Sequence, residues 1–431
     1  MGEMATERRI VAVIGGGAAG LMAAAAAAEY ASPETEVLLI EQNDRMGKKL
    51  RITGKGRCNL TNDCDRDEFL SNVPTNPRFL YAALAGFDTE DTKAYFEMLG
   101  VPLKVERGKR VFPVSDRAGD VVDALVRHCR ELGVHFLTGR VSAIHTTPDS
   151  DGNPRVSALR VGGRDIPVAA AILCTGGCSY PQTGSDGNGY RLAEKLGHTV
   201  VTPRPSLVPL VCAGDLCARM MGLSLRNVRL RVVDTRRGKC IYEDFGEMLF
   251  THYGVTGPLI LSASAHIPDV ESGAYELHIN LKPALDEAEL DARILSDFKK
   301  YANRDFINAL GDLLPLKAIE PVVLLSGIDP RRKVNSITRE ERRALAGVLH
   351  DLTVNPIRPR PIAEAIVTKG GIAVSEVEPG TMASRRVPGL YFAGEVLDVD
   401  AYTGGFNLQI AFSTGRLAAQ NATEYVSSVD A

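Results

Sequence analysis

Residues 9–42 read RIVAVIGGGAAGLMAAAAAAEYASPETEVLLIEQ, and few folds accommodate such a run. A short apolar segment ends in three glycines, as a buried parallel strand does. An alanine-dominated stretch of strong helix formers follows, and then a second apolar strand. Strand, glycine turn, helix and strand in this order predict a βαβ unit. Gly15, Gly17 and Gly20 form a G-x-G-x-x-G. The first glycine permits the tight turn, the second admits a pyrophosphate to the backbone, and the third lets helix pack on strand. Ala18 and Ala19 open the helix, whose free N–H groups would face the phosphates. Glu41 is placed to accept ribose hydroxyls, with Gln42 beside it. An acid there disfavours a 2′-phosphate, so the expected dinucleotide is FAD or NAD.

Composition narrows the class. With 431 residues the chain has room for two or three domains. A formal net charge of −3 gives no general attraction to polyanions, and aromatics at 6% leave few stacking platforms, so nucleic acid is not expected as a partner. The alanine tract 23–28 falls short of the ~20 residues a membrane span needs. No secretory signal is legible, and a cytoplasmic enzyme without a membrane partner is expected. Eight cysteines show no C-x-x-C spacing, so neither a metal site nor a redox dithiol is signalled. The hydrolase signatures G-x-S-x-G and H-E-x-x-H are absent, and TGKGR fails the P-loop pattern.

Directly after Glu41 comes a second glycine-rich, basic segment, GKKLRITGKGRCNLTN (47–62). A nicotinamide domain has no need of it here, whereas FAD is longer and continues past the pyrophosphate. Lys48, Thr53, Gly54, Lys55, Gly56, Arg57, Cys58 and Asn59 are therefore expected to wrap FAD. Gly54 and Gly56 would admit its backbone, and Lys55 or Arg57 would offset its charge. Cys58 is read as a small soft neighbour of the flavin, not a nucleophile.

Further on, RVSALRVGGRDIPVAAAILCTGG (155–177) predicts a β-meander followed by a buried strand ending in glycines. HFLTGRVSAIHTT (135–147) reads as one strand, with Val141 placed to meet the adenine. Residues 222–282 alternate apolar and polar positions, which predicts antiparallel strands. Residues 286–350, NALGDLLPL included, follow a helical period.

Five stretches carry a resemblance: 15–24, 47–62, TGGCSYPQTGSDGNGY (175–190), LFTHYGVTGP (249–258) and LYFAGEVLDVDAYTGGFNLQIA (390–411). With them the chain resembles bacterial NAD(P)/FAD-dependent oxidoreductases related to aminoacetone oxidases and proposed bile-acid C=C reductases. The resemblance implies an α/β, glutathione-reductase-like fold. A Rossmann-like FAD-binding domain, parallel sheet plus β-meander, would occupy residues 1–195 and 357–431. A β-rich subdomain with a helical appendage would be inserted at 196–356 and cover the substrate. Thr175, Gly176 and Gly177, then Gly394, Glu395 and Asp398, are expected at the cofactor. Gly404, Gly405, Phe406, Asn407 and Gln409 would open a helix whose dipole faces the flavin. His252, Tyr180 and Tyr402 are the candidates for moving a proton, His252 alone having an ordinary pKa near neutrality. The expected activity moves a hydride between flavin N5 and a small-molecule substrate, with NADH or NADPH as transient reductant, in a monomer or small homo-oligomer. An amine oxidase using oxygen and a flavin-binding sensor or RNA-modifying protein are the alternatives.

Overall fold

The computed structural model describes residues 9–149 and 152–428. Its centre is β1 (Arg9–Ile14), whose residues Val11 to Ile14 are all buried. They are buried because parallel strands flank both sides. Strand β2 (Thr35–Glu41) sets Ile40 beside Ile14, and β4 (Ala170–Leu173) sets Leu173 there from the other side. Strand β3 (His135–Thr138) extends the sheet beyond β2, and β5 (Leu390–Phe392) extends it beyond β4. The order is β5-β4-β1-β2-β3. The chain moves outward from β1 to β3, then returns to β4 on the opposite side. That reversal opens a crevice at the carboxyl ends of β1 and β4, where α/β sheets bind ligands.

Helix α1 (Ala18–Tyr30) is buried from Ala19 to Ala27, so its small side chains are needed on every face. The long C-terminal helix α3 (Phe406–Ser428) lies against it so closely that a Cβ on Gly415 would stand 2.6 Å from the Ala19 carbonyl oxygen. Between them in sequence, α2 (Lys48–Gly56) follows β2. The meander comprises Val141–Pro148, Pro154–Val161 and Arg164–Pro167, antiparallel throughout. The stretch 135–147 is thus two strands in two sheets, not one. At Gly139, where they part, a Cβ would meet Val161 Cγ1 at 2.6 Å.

The chain divides into two compact units, one running to Ser206 and resuming at Ile362, the other Leu207–Pro361. Strand Val200–Ser206 pairs antiparallel with Val367–Ile372, which ties both crossing segments to the first unit. The boundaries drawn by contact therefore fall after 206 and 361, where the sequence reading had 195 and 356. The second unit carries a seven-stranded antiparallel sheet, with Ser224–Asp234 between Tyr275–Asn280 and Lys239–Phe250. Helices Glu287–Lys300, Leu316–Ser326 and Arg339–His350 complete its separate core. The segment 308–316 is not the helix its period suggested: a single 3₁₀ turn spans Phe306–Asn308, and the next helix begins only after Pro315. Proline disfavours helical backbone at the residue before it. Among the described residues no helix is long and apolar enough to cross a membrane.

Alanine normally gains ~0.5–1 kcal/mol over glycine inside a helix. At Gly415 the overlap with the Ala19 backbone should outweigh that gain. Gly415→Ala is expected to destabilise the protein by about 1–3 kcal/mol in chemical denaturation. A neutral or stabilising result would mean that α1 and α3 are farther apart.

Candidate active site

After Ile14 the chain turns at once through Gly15, at φ +105°. A side chain there would strike the Cys174 carbonyl oxygen at 2.5 Å, and one at Gly20 would strike the Gly15 carbonyl oxygen at 1.7 Å. Gly17 differs: nothing lies within 4 Å of where its Cβ would be. It caps α1 without a side-chain bond, and no acid stands in the first turn. The N–H groups opening α1 at Ala18, Ala19 and Gly20 therefore face outward to an anion, favoured by the helix dipole. Glu41 closes β2 and is buried. Its Oε2 accepts the Gly16 N–H at 2.6 Å, and its Oε1 accepts the backbone and side-chain amides of Asn43 at 2.8 and 2.5 Å. A carboxylate has about four acceptor positions, so one remains for a hydroxyl. Gln42 spends its side chain within the protein, donating to the Gly184 carbonyl at 2.7 Å and accepting from Arg140 at 2.8 Å. Val141 is buried, and its carbonyl accepts from Asn188 at 2.9 Å.

The second glycine segment is a kinked helix. Thr53 is extended, Gly54 and Lys55 are left-handed, and the Cys58 N–H returns to the Thr53 carbonyl at 3.0 Å. Lys48 faces out and pairs with exposed Asp44 at 2.8 Å. Lys55 is exposed, and Gly56 has open space beside it. Arg57, expected to offset cofactor charge, is committed elsewhere. Its guanidinium pairs with Glu106 at 2.5 Å and Asp116 at 2.6 Å and lies 4.1 Å over the Phe112 ring. Cys58 is fully buried, and that burial pushes its thiol up to about 12, so it stays protonated and non-nucleophilic. The last two residues of the segment brace α3. Thr61 Oγ1 bonds Gln409 Oε1 at 2.6 Å, and Asn62 donates to the Gly404 carbonyl at 3.1 Å.

The carboxyl ends of β4 and β5 supply the rest. Thr175, Gly176 and Gly177 follow β4, and Gly394 and Glu395 follow β5. Glu395 Oε2 meets Lys49 Nζ at 2.6 Å, and Oε1 accepts from Ser179 Oγ at 3.0 Å and the Thr368 N–H at 2.9 Å. Lys49 also donates to Ser179 Oγ at 2.6 Å. Sequence reasoning named Lys48 and missed Lys49. The signal was helical phase: Leu50 is the buried position, and Lys48 and Asp44 are an i, i+4 surface pair. Asp398 is half-buried and bonded to Asn76 at 3.2 Å; burial raises its pKa, and the charge of Asp400 adds to that.

At the start of α3, a Cβ on Gly405 would lie 2.2 Å from the Thr61 carbonyl oxygen. Phe406 is buried edge-on against Phe69 at 5.2 Å, and Asn407 holds the turn before it, through Ala401 at 2.7 Å and Tyr402 at 3.2 Å. Gln409 is fully buried. Its amide nitrogen reaches the carbonyls of Asp88 at 2.9 Å and Phe87 at 3.3 Å, so it braces the helix and is not free for a ligand. Tyr180, at φ +52°, and Tyr402 both belong to the first unit, beside the Gly176 and Gly404 turns. His252 is an exposed residue of the second unit, its ring edge-on to Tyr253 at 4.9 Å.

These residues fit FAD on grounds independent of any motif. Asn59 Oδ1 and Thr175 Oγ1 are buried without a hydrogen-bond partner. An unmet buried polar atom costs ~1–3 kcal/mol, which a polar ligand would relieve. Pyrophosphate would lie on α1, ribose on Glu41, and the far end of the cofactor along Thr175–Gly177, Glu395 and the Gly404–Gly405 turn.

A family model described as the HI0933-like protein Rossmann domain matches residues 9–421. Among curated relatives, 3-dehydro-bile acid delta(4,6)-reductase of Clostridium scindens is 31% identical over 402 residues, covering 91% of this chain and 93% of the relative. Ribosomal RNA dihydrouridine synthase of Escherichia coli is also 31% identical, over 386 residues, 89% of this chain and 91% of the relative. Among solved structures, 3-ketosteroid delta1-dehydrogenase of Sterolibacterium denitrificans shares the fold. Its TM-score is 0.52 at 14% identity, over 96% of this chain and 99% of that one.

Lys49 and Glu395 are each 21% exposed, whereas Lys48 pairs with an aspartate 77% exposed. Lys49→Met leaves Glu395 without its cation and is expected to weaken FAD binding about 10- to 100-fold, the equivalent of ~1.5–3 kcal/mol. Lys48→Met should change it by less than about fivefold. Flavin fluorescence titration separates the two, and equal effects would remove Lys49 from the site.

Proposed function

From membership of the HI0933-like Rossmann family, to which this chain belongs, we propose that the protein is an FAD-dependent reductase of a carbon–carbon double bond conjugated to a carbonyl. The observation that supports the cofactor is the crevice at the ends of β1 and β4, with an open helix start and the unpartnered Thr175 hydroxyl. The bond type rests on the relatives. A 3-dehydro bile acid unsaturated at C4 and C6 conjugates its double bonds with the 3-oxo group. Uridine conjugates C5=C6 with its C4 carbonyl. In both names the reduced bond is electron-poor at the carbon β to a carbonyl, the position a hydride attacks.

The chemistry supplied by bound FAD is two-electron hydride exchange, with NADH or NADPH proposed as the external reductant. The protein's part is to hold and to bias. The start of α3 offers an oriented dipole for negative charge. Lys49, held on Glu395 and Ser179, places a fixed cation at the same end of the sheet. For the proton, Tyr180 and Tyr402 rank ahead of His252. Both share the crevice's unit and its glycine turns, whereas His252 is an exposed side chain.

A small molecule is the preferred substrate, since the net charge of −3 offers no general hold on a polyanion. The dihydrouridine synthase relative makes uridine in RNA the second reading. Anaerobic stopped-flow decides. Enzyme reduced by NADH or NADPH should be reoxidised by a 3-oxo-4,6-diene steroid acid at least about tenfold faster than by its saturated analogue, a difference of ~1.4 kcal/mol in barrier. Reoxidation by oxygen alone would make it an oxidase. Appearance of dihydrouridine in ribosomal RNA, with no steroid turnover, would favour the second reading.

A further inference from the structure

The second unit contains a pocket of its own, about 140 Å³ in volume. Its wall is apolar: Met220, Leu223, Val228, Leu314 and Ala318 are all buried. The remainder of the lining has a different chemistry. Arg226 and Lys282 line the same pocket, Arg226 exposed and Lys282 half-buried. Strand pairing explains why they meet. Ser224–Asp234 runs antiparallel to Tyr275–Asn280, and Arg229 faces Asn280 in register. The pairing ends there, and the residues just beyond it on the two segments, Arg226 to Val228 and Leu281 to Lys282, line the pocket together. The Lys282 N–H donates to Asn280 Oδ1 at 2.8 Å, which fixes where its side chain departs.

Neither cation is bonded to an acid, although the charge of Asp297 acts favourably on Lys282. Among the described residues, no ion pair or side-chain hydrogen bond engages Lys282 Nζ or the Arg226 guanidinium. The nearby carboxylate of Asp297 is already bonded to Arg293 at 3.0 Å. Burial, and secondly the positive charge of Arg293, lower the pKa of Lys282. Some cations of this unit are ion-paired, as Arg342 is with Asp291 at 2.5 Å and Lys300 with Asp312 at 2.6 Å. A partly desolvated cation without a counter-charge is unfavourable. An apolar pocket bordered by one half-buried and one exposed cation is the complement of a molecule with an anionic head and an apolar body.

We propose that this pocket binds a small organic carboxylate, its head between Arg226 and Lys282 and its hydrocarbon body against Leu223, Leu314 and Ala318. Size sets the body. A cavity of about 150 Å³ holds a benzene-sized guest, so roughly six carbons fit. Inorganic phosphate would meet the charge but leave the apolar wall wet. An uncharged alcohol would fill the wall but leave both cations unmatched. The proposal stands apart from the reductase reading, since all its residues belong to the second unit and none contributes to the glycine crevice.

The test uses full-length, FAD-loaded protein and three probes in isothermal titration: hexanoate, hexanol and inorganic phosphate. Hexanoate is expected to saturate with a dissociation constant of about 1 mM or tighter, and the other two at least tenfold more weakly. Lys282→Met should weaken hexanoate tenfold or more while flavin absorbance and thermal midpoint hold, because no hydrogen bond or ion pair of the fold uses the Lys282 ammonium. Ala318→Phe fills the pocket and should abolish binding. Hexanoate that does not saturate, hexanol or phosphate binding as well as hexanoate, or unchanged binding in Lys282→Met would each overturn the proposal.

Discussion

Glycines allow four close approaches around the end of β1, three of them backbone against backbone, and the site exists because these positions carry no side chain. Positions 20 and 15, 15 and 174, and 415 and 19 are too close for a Cβ, and Gly394 would meet Ala19 Cβ at 2.7 Å. These contacts draw the ends of β1, β4 and β5 and the helices α1 and α3 into one place. The middle of the sheet below is apolar, at Val11–Ile14 and Ala170–Leu173, yet its upper edge is lined by backbone N–H groups. Each helix start carries roughly half a unit of positive charge, and burial below keeps water from screening it. An anionic, elongated cofactor answers both features at once.

The polar residues around this edge divide into those that hold the scaffold and those left to hold a ligand. Thr61 bonds Gln409, which reaches the carbonyls of Phe87 and Asp88, while Asn62 holds the Gly404 carbonyl and Asn407 those of Ala401 and Tyr402, and together they pin the start of α3. Arg57 belongs to a separate surface network with Glu106, Asp116 and Lys104. Asn59 and Thr175 are left unmet in the interior, and Lys49 is held by Glu395 and Ser179. The second glycine segment thus acts as a brace between sheet and α3 as much as a wrap for the cofactor.

Local physics made much of this legible from the amino acids. The β1–α1–β2 unit, the meander, β4 and the antiparallel insertion all follow from period and glycine placement, which act over a few residues. Partner choice did not follow, because it is set by residues far apart in the chain. Helical phase can set Lys49 apart from Lys48, but its partner Glu395 stands 346 positions away and is not legible locally. Gln409 looks like a ligand-facing amide at a helix start until the carbonyls of Phe87 and Asp88 arrive from another element.

The account turns on the crevice between β1 and β4 holding FAD. Equilibrium titration of the flavin-stripped protein tests this most directly, with FAD, FMN and NAD as ligands and Gly17→Glu as the control. FAD should bind at one per chain with a dissociation constant of about 1 μM or tighter. FMN and NAD, each lacking part of the contact set, should bind at least a hundredfold more weakly. Gly17→Glu, which puts a carboxylate into the open space at the start of α1, should abolish FAD binding without unfolding the chain. Equal affinity for FMN, or FAD binding that survives Gly17→Glu, would contradict it.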